Sequence, residues 1–362
     1  MSSKNRLTGI DLLRGLAIYA VVVLHSDEPL TVFPHGWATI LEFSKFAVPF
    51  FLATSFYLSF LKFYSSQKPF RLQTRAMRLL IPYGIWSSIY LCYKGLKYLA
   101  NGEAGKITTL LQDPIGLIFC GGAAFHLYFL PLLMIGTILI KFVYLLPRRN
   151  INFYLLVGLF IVTLAGYQGL LATGNEFNNA QGAAFLTVLN NLSPTLRTNS
   201  LVRLPMVALA WAIRCLPYIL FAMICTHPKV QNRPLVFQWW QLPLVGILFI
   251  AVNLVGIHIL PAAVYELGRG YLGLMVALVV SNVLYDKDWI HELGFASFGI
   301  YLSHLLLIES FYIVINRVYP AFLSNTSSLT LLICSGLILL GCWWLTNLVK
   351  QREKVALFLF GT

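Results

Sequence analysis

Apolar runs long enough to cross a bilayer recur from one end of this chain to the other, and they leave it few ways to fold. In hydrocarbon a backbone must satisfy its own hydrogen bonds, and a run of about twenty residues does so as a helix. The spacing predicts helices near 8–27, 37–61, 79–99, 123–146, 151–172, 203–226, 241–260, 265–285, 293–315 and 328–349. Composition agrees, because 58% hydrophobic and 11% charged residues with a mean hydropathy of +0.76 do not describe a soluble globular domain. The expectation is an all-α, polytopic integral membrane helix bundle of about ten transmembrane helices. It forms a single domain over residues 1–362, with no separate soluble domain.

Basic residues set the expected orientation, since Lys and Arg accumulate in short cytoplasmic loops. With the N-terminus inside, the inner segments carry sixteen basic residues, from Lys4 and Arg6 to Arg352 and Lys354, and the outer segments carry seven. Both termini are therefore expected in the cytoplasm, with the chain in the inner or plasma membrane. The net charge of +13 follows this loop bias, so the lipid bilayer is the expected partner and nucleic acid is not. The six cysteines show no metal-ligand spacing and fall mostly in or beside spans, so neither a disulfide framework nor a metal site is expected. The first segment has a basic start and an apolar run, yet His25-Ser26-Asp27-Glu28-Pro29 offers no small-residue cleavage site. It is expected to remain as the first span.

That first span carries Arg14 and His25, an offset of eleven residues. The offset is nearly three helical turns, so the two side chains share one face about 16 Å apart along the axis. Charged and titratable groups inside a spanning helix are costly and persist mostly against a protein interior or a water-filled cavity. The plainer alternatives are an Arg14 that snorkels to the headgroups and a His25 that marks the membrane boundary. Asp11, three residues before Arg14, is at ion-pair spacing and is expected to lower the cost of burying the guanidinium. No Gly-x-Ser-x-Gly elbow and no Gly-rich phosphate loop occurs in the chain.

Five segments carry a family resemblance. Ile10-Asp11 through Leu13-Arg14-Gly15-Leu16-Ala17 and on to His25 resembles the opening motif of the membrane acyltransferase-3 family. Ala47-Val48-Pro49-Phe50-Phe51 resembles its second-helix signature, and Arg75-Ala76-Met77-Arg78 before Leu79-Leu80-Ile81-Pro82 resembles its basic start to the third helix. Phe125-His126-Leu127-Tyr128-Phe129-Leu130 resembles its His-Leu-Trp-Phe-Leu segment. Gly294 through Ser297-Phe298-Gly299-Ile300-Tyr301-Leu302 to His304 resembles its late Ser-x-Gly-x-Tyr-Leu-x-His pattern. The segments stand in family order from Ile10 to about His304. Two departures stand out: Thr54-Ser55-Phe56 replaces the usual Ser-Gly-Phe, and Tyr128 stands where Trp is common, keeping an aromatic surface and adding a hydroxyl.

The resemblance implies an O-acyltransferase that moves an acyl group, acetyl or succinyl, from a coenzyme A thioester to a hydroxyl of a glycan, a lipid-linked saccharide or a related envelope molecule. No permanently bound cofactor is expected, and acetyl-CoA or another acyl-CoA serves as donor. O-acylation needs a deprotonated hydroxyl, a positioned thioester and stabilisation of a developing oxyanion. His25 suits the first need, as general base or as a nucleophile that becomes acylated. Glu42, at the outer start of the second span, is a candidate to orient it, although Lys45 one turn away is placed to neutralise Glu42. His126 and Tyr128 are expected at the depth of His25 as acceptor-positioning groups. Tyr301 and His304, one turn apart, can line a cavity wall, and Glu309 lies further out on the same helix.

Arg71, Arg75 and Arg78 recur at spacings of four and three on one side of a helix start, where guanidinium groups suit the coenzyme A phosphates. The resemblance favours Arg75 and Arg78 over Arg71. Arg14 then falls between donor and acceptor ends, to hold the donor arm or polarise the thioester. The chief rival from another class is a transporter or flippase for a lipid-linked glycan or small metabolite, with Arg14, His25 and Glu309 along its path. Paired interrupted helices in matching halves would favour that rival, and the sequence does not show them.

Overall fold

The computed structural model describes residues 7–65, 70–144, 152–174, 184–193, 199–231, 238–285 and 287–361. Lys4, Arg6, Lys68, Arg148, Arg149, Arg197 and Arg233 of the charge count lie outside these residues. Among the described residues there are helices and no strand. The helices are α1 (Thr8–His25), α2 (Trp37–Ser44), α3 (Ala47–Ser65), α4 (Leu72–Ala100), α5 (Gly105–Leu111), α6 (Pro114–Phe119), α7 (Phe129–Val143) and α8 (Phe153–Ala172). They continue as α9 (Leu186–Leu192), α10 (Ser200–Thr226), α11 (Pro228–Gln231), α12 (Leu242–Ile259), α13 (Ala262–Ser281), α14 (Asp288–Val318), α15 (Ser328–Lys350) and α16 (Glu353–Phe360). The chain is an all-α, multi-pass membrane protein.

Among the described residues, nine helical stretches are long and apolar enough to cross a membrane. They coincide with nine of the ten expected spans. The tenth forms as α4, 29 residues and so about 43 Å long, but Tyr83, Ser87, Ser88, Tyr90, Tyr93 and Lys94 leave it less apolar than the others. Local chemistry sets several helix starts: the Asn152 side chain accepts from the backbone N–H of Tyr154 and Leu155 at the start of α8, and Asp113 accepts from Gly116 N–H at the start of α6. Two of the basic residues counted on outer segments, Arg203 and Arg269, are buried within α10 and α13.

The helices form two compact units. The first comprises Met1–Ser55 and Arg233–Glu353. In it α1 packs most extensively on α14, then on α13 and α15. Between helices surrounded by lipid there is no hydrophobic driving force, so close packing and interhelical hydrogen bonds of about 0.6 to 2 kcal/mol each hold them together. Gly294 lets α14 come close to α1: a Cβ there would lie 2.6 Å from the Asp11 Cβ. The Tyr19 hydroxyl donates to the Leu332 carbonyl at 2.8 Å, joining α1 to α15.

The second unit comprises Phe56–Asn232 and Lys354–Thr362. Here α10 packs on α8 and α7, and α7 on α4. The Phe56 ring lies where a Cβ on Gly136 would come within 2.5 Å of it. The close approach missing from Thr54-Ser55-Phe56 is thus made by a glycine on the facing helix. Trp86 Nε1 donates to the Leu359 carbonyl at 2.9 Å, fastening α16 to α4.

Candidate active site

Asp11, Arg14 and His25 lie on one side of α1, as their spacing requires. Asp11 Oδ1 is 3.9 Å from Arg14 Nη1, the expected pairing. The other carboxylate oxygen accepts from His291 Nδ1 at 2.7 Å, a contact across 280 residues that has no local sequence signal. Arg14 is therefore fixed to α1 by Asp11, and Asp11 is fixed to α14 by His291.

At the far end of α1 the His25 ring lies 5.3 Å from the His304 ring, inclined by 34°. His304 is fully buried, and its Nδ1–H donates to the Tyr301 carbonyl at 2.7 Å. The Tyr301 ring is 6.1 Å from His304 and stacks on Phe298 at 6.4 Å. The first and last of the five family-like segments thus meet at two histidines. Glu309 is half-buried, further along α14.

The carboxylate against His25 is Glu28, with Oε1 3.1 Å from Nδ1. Glu42 is engaged elsewhere: it accepts from Lys45 Nζ at 2.6 Å and from the Tyr265 hydroxyl at 2.8 Å, and Arg269 Nη1 is 3.4 Å away. The neutralising role expected of Lys45 is what the geometry shows, and Tyr265 and Arg269 add two partners from α13. The i,i+3 spacing of His25 and Glu28 is a sequence signal that points to the nearer carboxylate.

Tertiary contacts clamp the turn that carries Glu28. The Tyr312 hydroxyl donates to the Ser26 carbonyl at 2.7 Å, and the Ser26 and Ser335 hydroxyls are 2.8 Å apart. Trp37 Nε1 donates to Asp27 Oδ2 at 3.2 Å. Burial pushes the Asp27 carboxyl above its ordinary value, against the opposing pull of the Trp37 hydrogen bond and of His25.

The second unit carries the remaining candidates. Arg71, Arg75 and Arg78 fall along one side of the start of α4, with Arg71 and Arg78 exposed. Arg75 donates to the Ser59 hydroxyl at 2.9 Å, and its guanidinium lies 4.4 Å from the centroid of the Phe70 ring. His126 and Tyr128 are buried in the short 3-10 turn Phe125–Tyr128 that leads into α7. The His126 ring meets the Tyr90 ring edge-on at 5.2 Å. Asp113 has three partners here, Arg203, the Ser200 hydroxyl at 3.1 Å and the Gly116 N–H at 3.0 Å. Its carboxyl is held below the ordinary value: burial works to raise it, and these hydrogen bonds overcome that.

No curated protein and no solved structure matches this chain. A family model described as an acyltransferase domain does, over residues 7–347, and that range contains all five segments. The chain belongs to the membrane acyltransferase-3 family and is an acyltransferase of the non-aminoacyl type.

Proposed function

We propose that this protein is a transmembrane O-acyltransferase that takes an acyl group from a coenzyme A thioester on the cytoplasmic side. The acceptor is a hydroxyl of a cell-surface glycan, a lipid-linked saccharide or a related envelope molecule, and His25 is the general base. The observation that carries this reading is the His25–His304 pair at 5.3 Å, formed by the first and last of the five family-like segments. A neutral imidazole beside a buried wall of Tyr301 and His304 suits removal of a hydroxyl proton near neutral pH.

The acceptor oxygen attacks the thioester carbon as His25 takes its proton. The carbon–sulfur bond then breaks, the sulfur leaves with the bonding pair, and the proton on His25 passes to it. Arg14, about 16 Å from His25 along α1, holds the polar arm of the donor on its way to the reacting carbon, a role favoured by its ion pair with Asp11, which in turn meets His291. Arg78, exposed on α4, and Arg75, stacked on Phe70, hold the phosphates of the donor, with Arg71 as the outermost contact. His126, Tyr128, Tyr301, His304, Glu42 and Glu309 belong to the acceptor side in this reading. Acetyl is the first donor to test and succinyl the second.

The test compares purified wild type and His25→Ala in matched amounts. Release of coenzyme A is measured from acetyl-CoA and succinyl-CoA, with and without a membrane glycan extract. Acceptor-dependent release by the wild type that His25→Ala loses is the expected result. Equal release by both proteins would overturn the role of His25, and release by neither, together with substrate movement into vesicles that acyl-CoA does not affect, would turn the reading toward a transporter.

A further inference from the structure

Resting on the reading of His25 as base, we infer that Glu28 is its positioning residue: the carboxylate accepts the Nδ1 hydrogen bond and commits the lone pair to Nε2. An ionised carboxylate only accepts, so at 3.1 Å from Glu28 Oε1 the His25 Nδ1 must carry the hydrogen. The neutral ring then has one basic nitrogen, Nε2, and that atom receives the proton of the acceptor hydroxyl. When Nε2 is protonated, the Glu28 charge offsets the imidazolium.

The contact differs from an ordinary i,i+3 surface pair. Such pairs add little to folding, and the Glu28 side chain is 43% exposed. Yet the turn between the two residues is fixed at Ser26 by Tyr312 and Ser335 and at Asp27 by Trp37, three contacts from three other helices. That much tertiary restraint on a four-residue turn presents Glu28 to His25 in one orientation, as preorganised catalytic groups require. His304 is placed in the same way: its own Nδ1–H donates to the Tyr301 carbonyl, so both rings of the pair have Nδ1 as the donor. Asp27, a second carboxylate near His25, is turned to the Trp37 indole.

The experiment uses full-length protein with 15N-labelled histidine, His25 being assigned by comparison with His25→Gln. The variants are Glu28→Gln, Glu28→Asp and, as a control for charge alone, Asp27→Asn. Wild type and Asp27→Asn are expected to show a His25 proton on Nδ1, Glu28→Gln to lose that preference, and Glu28→Asp to keep part of it. In the transfer assay Glu28→Gln lowers kcat by about ten- to a hundredfold, with KM for acyl-CoA within twofold of wild type. Glu28→Asp recovers part of the loss. A Glu28→Gln protein that keeps both the Nδ1 proton and kcat overturns the inference, and so does an Asp27→Asn protein that loses both. The tautomer shift without any transfer by wild type would keep the positioning of the ring and reject the base reading.

Discussion

The carboxylate beside Arg14 has a second anchor: Asp11 reaches Arg14 at 3.9 Å and His291 at 2.7 Å. A guanidinium held this way presents a planar fork in a fixed direction, which the single ammonium of lysine does not reproduce. Arg14→Lys is therefore expected to lower kcat/KM about a hundredfold at unchanged expression, a loss of the size that follows when a substrate arm is misplaced by about 1 Å. Transfer within threefold of wild type by a well-folded Arg14→Lys protein would reject the role. At this scale the sequence revealed which residues face one another along α1, because helical periodicity is local. It did not reveal His291 on Asp11 or that Glu42 is engaged away from His25, although the i,i+3 spacing of Glu28 is a local signal. The first is set by a contact between distant helices, and the second by how Tyr265 and Arg269 draw Glu42 away.

Between elements, glycine contacts and capped loop starts decide the geometry. A Cβ at position 294 would come within 2.8 Å of the Asp11 Cα as well as 2.6 Å of its Cβ, so the backbone and not a flexible tip blocks it. Gly294→Val is expected to push α14 from α1 at a cost of about 1 to 3 kcal/mol, read as a lower unfolding temperature in detergent, and to lose transfer because His291 and His304 move with the helix. An unfolding temperature equal to that of the wild type would show that the helices have room.

Asp113 gives a test in the second unit. Its folded carboxyl titrates below the unfolded value near 3.9, so its stabilising contribution is complete above that pH and is lost as pH falls through the folded value. Asp113→Asn leaves the buried Arg203 without its counter-charge and should cost about 3 kcal/mol at neutral pH. Below about pH 4 the wild type should approach the variant, because the contribution that separates them is the one being titrated away. Thermal unfolding across that range checks both, and a constant gap between the two proteins would contradict the assignment.

At the scale of the whole molecule the proposed route of the acyl group makes two further demands. If donor phosphates sit on Arg75 and Arg78, Arg75→Ala and Arg78→Ala should each raise KM for acyl-CoA about tenfold with a smaller effect on kcat, while Arg71→Ala stays within twofold. Equal effects of all three on kcat alone would count against a donor site there. If both termini are cytoplasmic, reporters that are active only inside the cell should work at either end, and activity at one end alone would rule out that topology. Among the described residues, the nine helical stretches with the length and apolarity to span, and the less apolar α4 of 29 residues, were legible because hydrophobic runs and helical period are properties of contiguous chain. The ordered segments likewise carried the family, since each motif is local. What only the tertiary structure decided is which partner each polar side chain takes: His25 beside His304, Asp11 on His291, Glu42 on Tyr265, Asp113 on Arg203. Inside a membrane a buried polar group must find a partner wherever the packing brings one, and that choice is made between helices far apart in the chain.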